Sequence, residues 1–542
     1  MVKDNALIIL GEKSHWTMPH LIKRQAEKYG DRPFIDIQGG RGCSYADFYR
    51  QGRTVASALY NSGVRHGDRV FLMMENRLEF LQICIGCWEI GAVCVPVNTQ
   101  LKGFSLQHQL HNSDPAMVFI EAGLLANFFD VDPLPKSALS VILLDEANGS
   151  DVAAAFGRPD FLSFVALLSR ANDGQNLPAG PTPADVGCIL YTSGTTGPAK
   201  GVLMPHAHLA LYSVPIPSLE IGEDDIYYCC LPLFHVNGLY TQVFACLLSG
   251  ARVFCVKKFS PNRWLREIRE CGATLTNLIG LMIELIYKTE PKPDDHLNPL
   301  RGMLAMPVAD AWIADFCKRF DLKICQSFGM TECNIVTYTE LSDHPVSGDA
   351  GTIRTDLFDV VIVEPDADEP LANGQLGEIV IRPKIFHAFM QGYLGMPEKV
   401  TDAWKNLWFH TGDAGRITDG NHLHYVDRIK DRIRRRGENV SAYELEQVIL
   451  MLPEVAEVAV IGVAAGDAGS EQEVMACIVR NGTSTLMAET VVEHCVANAP
   501  RFSIPRFVKF MDELPKTVTN RVQKQLLRND GTDGAWDREI SR

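Results

Sequence analysis

Long apolar segments are missing from this 542-residue sequence. No run approaches the roughly 18 to 20 apolar residues that cross a bilayer, and the short run ALIIL near the start lacks the flanks of a signal peptide. Basic residues are also few: 51 Lys and Arg stand against 66 Asp and Glu, for a formal net charge of −15. These absences predict a cytoplasmic protein without a membrane span and without general nucleic-acid binding.

Zinc-binding cysteine pairs are missing too. The 15 cysteines are scattered through apolar stretches, and Cys84 and Cys87 form the single CxxC spacing. A structural zinc site of this kind needs a second pair. The sequence therefore predicts reduced thiols packed in hydrophobic cores, as is usual in a cytosolic enzyme.

The residues that are present describe an ordinary globular chain, too long for one hydrophobic core. Strand-like apolar runs alternate with helix-length segments, which favours sheets covered by helices. The clearest runs are RVFLMM (69–74), AVCVPV (92–97), AMVFI (116–120) and SVILLD (140–145). A charge-dense run at 427–439 precedes further strand-like and helix-like segments, which predicts a separate C-terminal domain.

A loop dense in glycine and hydroxyl residues follows the strand-like run GCIL and reads YTSGTTGPAKG at 191–201. Glycines let successive backbone N–H groups turn toward one point, and hydroxyls add further donors. Lys200 adds a positive charge. Together these features predict a phosphate-binding loop. Its spacing differs from GxxxxGK[ST], which disfavours a Walker-type nucleotidase.

This loop closely resembles the phosphate-loop signature of the adenylate-forming superfamily, which comprises acyl-CoA synthetases, peptide-synthetase adenylation domains and luciferases. Further stretches resemble that family's core motifs, in the same order along most of the chain. They are GAVCVPVN (91–98), LPLFHVNG (231–238), SFGMTE (327–332), LGEIVIRP (376–383), WFHTGDAG (408–415), YVDRIKDRI (425–433), RRGENVSAYELE (435–446) and LPKTVTNRVQKQLL (514–527). The run RRRGENVS is most similar to the crotonobetaine/carnitine-CoA ligase branch.

The resemblance implies an α/β fold with a large N-terminal region, residues 1–426, made of two βαβ-type subdomains and a distorted β-barrel. It implies a small mobile α+β domain, residues 427–542, that rotates about a hinge near Lys430. Two half-reactions are implied as well. A carboxylate attacks the α-phosphate of ATP, with Mg²⁺, to give an acyl-adenylate and pyrophosphate. After the small domain rotates, the thiol of coenzyme A displaces AMP.

Nucleotide- and metal-binding roles follow from the resemblance, position by position. Lys200 and the phosphate loop cover the β- and γ-phosphates, Thr331 lies near the α-phosphate, and Glu332 with Thr196 holds Mg²⁺. The implied nucleotide-binding positions are Thr192, Ser193, Gly194, Thr195, Thr196, Gly197, Gln326, Phe328, Thr331, Asp413, Tyr425 and Arg428.

Three of these positions concern the nucleoside. Asp413 accepts both ribose hydroxyls, for which an ionised carboxylate has enough lone pairs, and Arg428 adds a cation nearby. Phe328 stands where the family usually has tyrosine, so stacking on adenine is kept and one hydroxyl is lost. The run AMPVA (305–309) replaces the family's more common adenine loop.

Positions for the acyl group and coenzyme A are implied next. His235 stands where the family gates the acyl and pantetheine channels. The acyl-pocket positions are His235, Val236, Asn237, Gly238, Gly280, Leu281, Met282 and Ala305, whose small members leave room for a bulky hydrophobic acid. The coenzyme A positions are Arg435, Arg436, Gly437, Glu438 and Asn439.

The sequence departs from the family pattern near its end. Asn520 and Arg521 stand in place of a Gly-Lys pair whose lysine reaches the α-phosphate and the attacking carboxylate during adenylation. A planar guanidinium cannot occupy the tight point that an ammonium fills, and loss of one preorganised charge typically costs about 10²–10³ in rate. We therefore expect the ligase mainly or only to thioesterify a preformed acyl-adenylate, made by a separate enzyme, with coenzyme A.

Three alternatives stay open. A complete AMP-forming synthetase could use Arg521 with help from Lys516 or Lys524. A carrier-protein-loading enzyme would need a separate acceptor, because no Asp-Ser-Leu carrier motif follows in the chain. The third is a non-catalytic protein that binds acyl-adenylates, which the phosphate and RRGEN loops disfavour.

Overall fold

The protein is described here as a computed structural model. The residues that the structure describes are 6–40, 42–129, 140–144, 161–172, 176–192, 198–306, 308, 312–365, 367–428, 433–435, 438–440, 442–464, 472–499, 503–516 and 522–540. Among these residues, no helix combines the length and the apolar character that crossing a bilayer requires.

Helices begin where the sequence supplies a start signal. Proline stands at the first or second position of the helices that start at 18, 261 and 397, where its missing N–H costs nothing. Ser44 caps another by accepting from the Asp47 N–H at 3.1 Å. The α-helices span Ala6–Leu10, Met18–Tyr29, Tyr45–Asn61, Leu78–Glu89, Gly103–Ser113, Ala126–Phe129, Phe164–Leu168, His206–Tyr212, Val236–Gly238, Ala245–Ser249, Pro261–Cys271, Gly280–Tyr287, Ile313–Phe320, Pro397–Ala403, Ala442–Leu450, Ala488–Asn498 and Lys524–Asn529. Short 3₁₀ segments span Lys13–His15, Ala122–Leu124 and Pro217–Leu219, and a π-helical turn spans Leu239–Phe244.

The first of two large α/β sheets is parallel apart from a terminal hairpin. Its strands lie in the spatial order Ile324–Cys325, Gly302–Met306, Leu275–Ile279, Ile226–Cys229, Arg252–Cys255, Pro33–Ile37 and Cys43–Ser44. Apolar residues dominate these strands because helices cover a parallel sheet on both faces.

The second sheet is parallel through most of its width and ends in antiparallel strands. Its order is Gly392–Tyr393, Lys200–Pro205, Val186–Thr192, Val93–Pro96, Arg69–Met73, Met117–Glu121, Ser140–Leu144 and Phe161–Ser163. The first three strands of this order pair antiparallel and the others pair parallel. Strands Val186–Thr192 and Lys200–Pro205 pair antiparallel, and the predicted phosphate loop stands between them in the sequence. The expected pair of α/β subdomains is therefore confirmed.

A third sheet is antiparallel and occupies the place of the predicted barrel. Its order is Ser327–Met330, Asn334–Tyr338, Asp349–Ile353, His422–Arg428, Trp408–Thr418, Gly377–Pro383 and Phe358–Val363, with Trp404–Lys405 beside Trp408–Thr418. Its two outer strands do not pair with each other in the described residues, so this sheet does not close into a barrel there.

The C-terminal region has hydrophobic cores of its own. It contains the strand pair Ile433–Arg435 and Glu438–Val440 and a sheet in the order Val455–Ala464, Gln472–Arg480, Phe507–Met511 and Trp536–Asp537. The buried members of its two apolar clusters lie between Ile433 and Leu527. A division of the chain at 426 and 427 agrees with these clusters. It stays a prediction, because the expected hinge residue, Lys430, lies outside the described residues.

Candidate active site

Three neighbouring parallel strands end together at one edge of the first sheet. They are Ile226–Cys229, Leu275–Ile279 and Gly302–Met306. Because the carboxyl ends of parallel strands share an edge, the segments that follow lie close together there. This edge brings together most of the predicted acyl-pocket positions, although Ala305 itself is buried within its strand opposite Leu278.

Lys200, Tyr393 and Glu332 form a chain of contacts beside the phosphate loop. The Tyr393 hydroxyl donates to Glu332 Oε1 at 3.1 Å, and Lys200 Nζ lies 4.2 Å from the centre of the Tyr393 ring. Tyr393 is adjacent to the Lys200 strand because Gly392–Tyr393 pairs with it. Glu332 is only 4% exposed. A buried carboxylate next to a phosphate loop suits Mg²⁺, which binds through one or two carboxylates together with substrate phosphates.

Helix His206–Tyr212 supports the turn that carries Thr331 and Glu332. His208 Nε2 contacts the Thr331 carbonyl at 2.9 Å, and Asn334 Nδ2 lies 3.3 Å from His208 Nδ1. This pattern fits a neutral imidazole that donates through Nε2 and accepts through Nδ1. Complete burial lowers the pKa of His208 to about 4, so the ring is neutral at neutral pH. The Tyr212 hydroxyl donates to the Met330 carbonyl.

The predicted adenine position is an aromatic pair. The rings of Phe328 and Tyr425 stack with centroids 6.1 Å apart and an interplanar angle of 30°. Gln326 is buried beside them in sequence, and its Nε2 donates to the Val346 carbonyl at 2.9 Å. This hydrogen bond ties the segment before Phe328 to the loop at Val346, and the nucleotide contact predicted for Gln326 stays a prediction.

Asp413 lies on a kink in strand Trp408–Thr418. Gly412 has a φ of +71°, a left-handed conformation that glycine adopts without a steric penalty. Glu378 on the neighbouring strand holds this kink through both oxygens: Oε1 accepts from the Gly412 N–H at 3.0 Å, and Oε2 contacts His410 Nδ1 at 2.9 Å. Asp413 itself is 3% exposed.

His235 precedes the short helical turn Val236–Gly238, and Gly238 is its last residue. The His235 residue is open to solvent on one side, and the protein around the ring still desolvates it and lowers the pKa of His235 to about 4. A Cβ on Gly238 would lie 2.4 Å from the Pro232 carbonyl oxygen. Glycine is therefore required there by the close backbone approach, which is a different reason from the room for a bulky acid that the sequence predicted.

Three basic residues of the C-terminal region are held in ion pairs. Arg435 is 5% exposed, with its Nε 2.7 Å from Glu473 Oε2, so its side chain anchors the strand before the RRGEN loop. Lys516 Nζ lies 2.6 Å from Glu457 Oε2. Lys524 Nζ lies 2.8 Å from Glu446 Oε1, with 14% of its side chain exposed. The coenzyme A contact predicted for Arg435 stays a prediction that this ion pair does not favour.

The family is decided by comparison with known sequence families. A family model described as AMP-binding enzyme matches residues 22–394, and a second, described as AMP-binding enzyme C-terminal domain, matches residues 444–521. The chain belongs to the AMP-binding enzyme family.

A curated relative is similar to the chain over most of its length, and two solved structures share its fold. The chain is 29% identical to the crotonobetaine/carnitine–CoA ligase of Salmonella paratyphi A over 520 residues. This alignment covers 93% of this chain and 97% of the relative. Its fold is similar to that of ATP-bound MatB from Rhodopseudomonas palustris, with a TM-score of 0.79, 24% identity, and 95% and 99% of the two chains covered. It is also similar to the anthranilate CoA ligase AuaEII in complex with anthranoyl-AMP, with a TM-score of 0.83, 19% identity, and 95% and 97% covered.

Several predicted site positions lie outside the described residues of this AMP-binding enzyme. These are Ser193, Gly194, Thr195, Thr196, Gly197, Lys430, Arg436, Gly437 and Arg521, together with the side chains of Leu281, Arg428, Glu438 and Asn439. Their roles stay predictions. Sequence reasoning also missed Tyr393, Glu378 and His208, because each acts on a motif residue from a different part of the chain.

Proposed function

We propose that this AMP-binding enzyme is an acyl-CoA ligase that forms its thioester mainly or only from a preformed acyl-adenylate. Membership of the family supports the ligase chemistry, and relatives named as CoA ligases span nearly the whole chain. The specialisation to thioesterification rests on Arg521, which stands where the resemblance expects the adenylation lysine.

The chemistry explains why this substitution affects one half-reaction more than the other. In-line transfer to the α-phosphate depends on positioning and on stabilisation of developing charge. A guanidinium spreads its positive charge over a planar group and cannot place it at the point where an ammonium concentrates it. Thioesterification has a different requirement: the thiol of coenzyme A loses its proton to solvent, its sulfur bonds to the acyl carbon, and the bond from that carbon to the phosphate oxygen breaks. AMP leaves with both electrons of that bond, and no bond to phosphorus forms or breaks.

A structural observation that supports the proposal is that the lysines nearest to Arg521 in the sequence are already engaged. Lys516 forms its ion pair with Glu457, and Lys524 forms its ion pair with Glu446, whose Oε1 also accepts from the Val460 N–H at 2.7 Å. Releasing Lys524 would leave the largely buried Glu446 carboxylate without its counter-charge, which is costly, whereas the more exposed pair of Lys516 holds its lysine only weakly. Lys524 is thus poorly placed to replace the missing adenylation lysine.

The proposal includes its ligands and partners. Coenzyme A and an acyl-adenylate of a hydrophobic carboxylic acid are the substrates, and a separate enzyme that makes the adenylate is the source. In any adenylation that the enzyme does carry out from ATP, Glu332 holds the Mg²⁺ ion. Residues 1–426 bind the adenylate, residues 427–542 rotate about Lys430, and the protein acts in the cytoplasm.

The test compares two routes to acyl-CoA with purified protein and a panel of bulky ring acids. One route supplies free acid, ATP and Mg²⁺; the other supplies the synthetic acyl-adenylate. Coenzyme A is present in both, and acyl-CoA is measured by mass spectrometry. We expect product from the adenylate at a rate at least about 10²-fold above that from free acid.

Arg521→Lys is the matched variant. It should raise the rate from free acid and leave the rate from the adenylate nearly unchanged. Comparable rates from both routes in the unaltered protein would establish a complete synthetase instead. Tight binding of the adenylate without any thioester would establish a non-catalytic binding protein.

A further inference from the structure

The turn after His235 contains a side-chain amide that is held through its oxygen. Asn237 Oδ1 accepts from Asn277 Nδ2 at 2.7 Å, and Gln242 Nε2 lies 3.5 Å away. The Thr241 hydroxyl lies 2.6 Å from the Asn237 carbonyl oxygen and 2.9 Å from Oδ1, so its one hydrogen is shared between them. The Tyr227 hydroxyl donates to Asn277 Oδ1, which fixes the Asn277 amide with its nitrogen toward Asn237. In the described part of the chain, the Nδ2 of Asn237 has no hydrogen-bond partner.

Burial gives the direction of the unused donors. Asn277 and Gln242 are completely buried and Thr241 is 8% exposed, whereas Asn237 is half-buried. All donors to Oδ1 therefore come from the protein interior. The Nδ2 atom of the same amide has no protein partner in the described residues and is not fully buried, so its N–H groups are open to solvent. Asn237 itself lies in the turn that follows strand Ile226–Cys229, at the edge of the sheet that carries the predicted acyl positions.

We propose that Asn237 selects acyl groups that carry a hydrogen-bond acceptor, a ketone, ether or hydroxyl oxygen, away from the carboxylate. This inference rests on the proposed function, because it assigns the substrate class of the same site. A hydrocarbon acyl group displaces water from the Asn237 N–H groups and leaves them without a hydrogen-bond acceptor. An acceptor oxygen on the acyl group restores the hydrogen bond that the water made. Sites built this way discriminate against the analogue that lacks the polar atom.

The amide carbonyls of pantetheine offer the same chemistry from a second source. The two possible acceptors, an oxygen of the acyl group and a carbonyl of pantetheine, affect different measured quantities. An acceptor on the acyl group changes adenylate affinity when coenzyme A is absent, whereas a pantetheine carbonyl changes only the KM for coenzyme A. Adenylate binding without coenzyme A therefore separates them.

The experiment uses non-hydrolysable acyl-sulfamoyl adenosines in matched pairs. One pair carries para-acetylbenzoyl and para-isopropenylbenzoyl groups, which differ by a carbonyl oxygen against a methylene; a second pair is meta-substituted. Affinities for the full-length protein are measured by calorimetry. We expect the acetyl member of at least one pair to bind about tenfold more tightly, which corresponds to one hydrogen bond of ordinary strength.

Asn237→Asp tests the assignment without removing the network. One carboxylate oxygen still accepts from Thr241 and Asn277, while the other repels an acceptor oxygen on the acyl group. The affinity of the acetyl compound divided by that of the isopropenyl compound should therefore fall to one or below. Asn237→Leu should abolish the preference as well, and thermal unfolding of both variants checks that they fold.

Each other outcome counts against a specific statement. Equal affinities within both pairs for the unaltered protein, or a preference that persists in Asn237→Asp, would overturn the acyl-selection proposal while the proposed function stands. An effect of Asn237→Asp confined to the KM for coenzyme A would assign the donors to pantetheine and overturn it too. Failure of every sulfamoyl adenosine to bind would overturn the proposed function itself.

Discussion

At the scale of single residues, Tyr393 joins two groups that the motifs assign separately. Its hydroxyl orients the Glu332 carboxylate, and its ring lies beneath the Lys200 ammonium. Under the proposed function it is a positioning residue, since it would affect the Mg²⁺ and phosphate positions only through Glu332 and Lys200. A single side chain thus couples the predicted Mg²⁺ position to the phosphate loop.

We predict that Tyr393→Phe separates these two contacts. The variant loses the hydrogen bond to Glu332 and keeps the ring beneath Lys200, so ATP binding with Mg²⁺ should weaken by about tenfold. ATP binding without Mg²⁺ should stay unchanged. Titration calorimetry with and without the cation measures both. Tyr393→Leu is the comparison that removes both contacts, and an equal loss with and without Mg²⁺ in Tyr393→Phe would contradict the prediction.

Residue by residue, the sequence predicted the motif positions and not the groups that hold them. Asp413 and Glu332 could be found because each lies in a contiguous motif. Glu378 lies in a motif as well, LGEIVIRP, yet nothing in that run indicates that its carboxylate holds the Gly412 turn on the neighbouring strand. Asn277 and Tyr227 belong to no motif, and strand packing alone brings Asn277 to Asn237.

At the scale of elements, helix His206–Tyr212 places two buried histidines behind the active-site turn. His208 contacts the Thr331 carbonyl, and His206 Nδ1 accepts from the Met18 N–H at 3.3 Å. Burial lowers the pKa of His206 to about 3 and that of His208 to about 4. The helix therefore packs only when both imidazoles are neutral.

This helix should make folding sensitive to acid. Because the folded-state pKa values lie below the ordinary value of 6.5, the stabilisation is complete above that value. It is lost as the pH falls from 6.5, where the unfolded chain begins to bind protons, toward about 4. We predict that His208→Gln reduces the slope of unfolding free energy against pH in this window, measured by urea titration. The exposed His344 provides the control, because His344→Gln should leave the slope as it was.

Elements also show what periodicity could and could not predict. The alternation of strands and helices predicted the two α/β sheets. It could not show whether the third sheet closes, because closure depends on which strands pair across the chain and not on the apolar pattern of any one of them. The predicted barrel is an open antiparallel sheet in the described residues.

At the scale of the whole molecule, the thiols are inaccessible as a group. All 15 cysteines are free, and 14 of them are buried. Cys271 is the exception, with partial exposure, and burial still raises its pKa to about 11. The sequence-based prediction of reduced, packed thiols is consistent with this arrangement.

We predict that a disulfide reagent labels the native protein slowly and at Cys271 first, because thiolate is the reactive species. Unfolding in guanidinium should expose all 15 thiols. Peptide mapping after a short exposure identifies the labelled site, and Cys271→Ser should remove the early phase. Rapid labelling of several cysteines in the native state would show that the cores open readily.

The separate cores of the C-terminal region have a consequence for how such enzymes change over time. The segment that carries position 521 packs apolar clusters whose buried members lie between Ile433 and Leu527. Genetic exchange near the start of this segment can therefore replace it as a unit and leave the acyl positions of the N-terminal region intact. Under the role proposed for Arg521, such an exchange would remove or restore adenylation in a single inheritable event. Two lineages with the same acid preference would then differ in whether they depend on another gene product for activation.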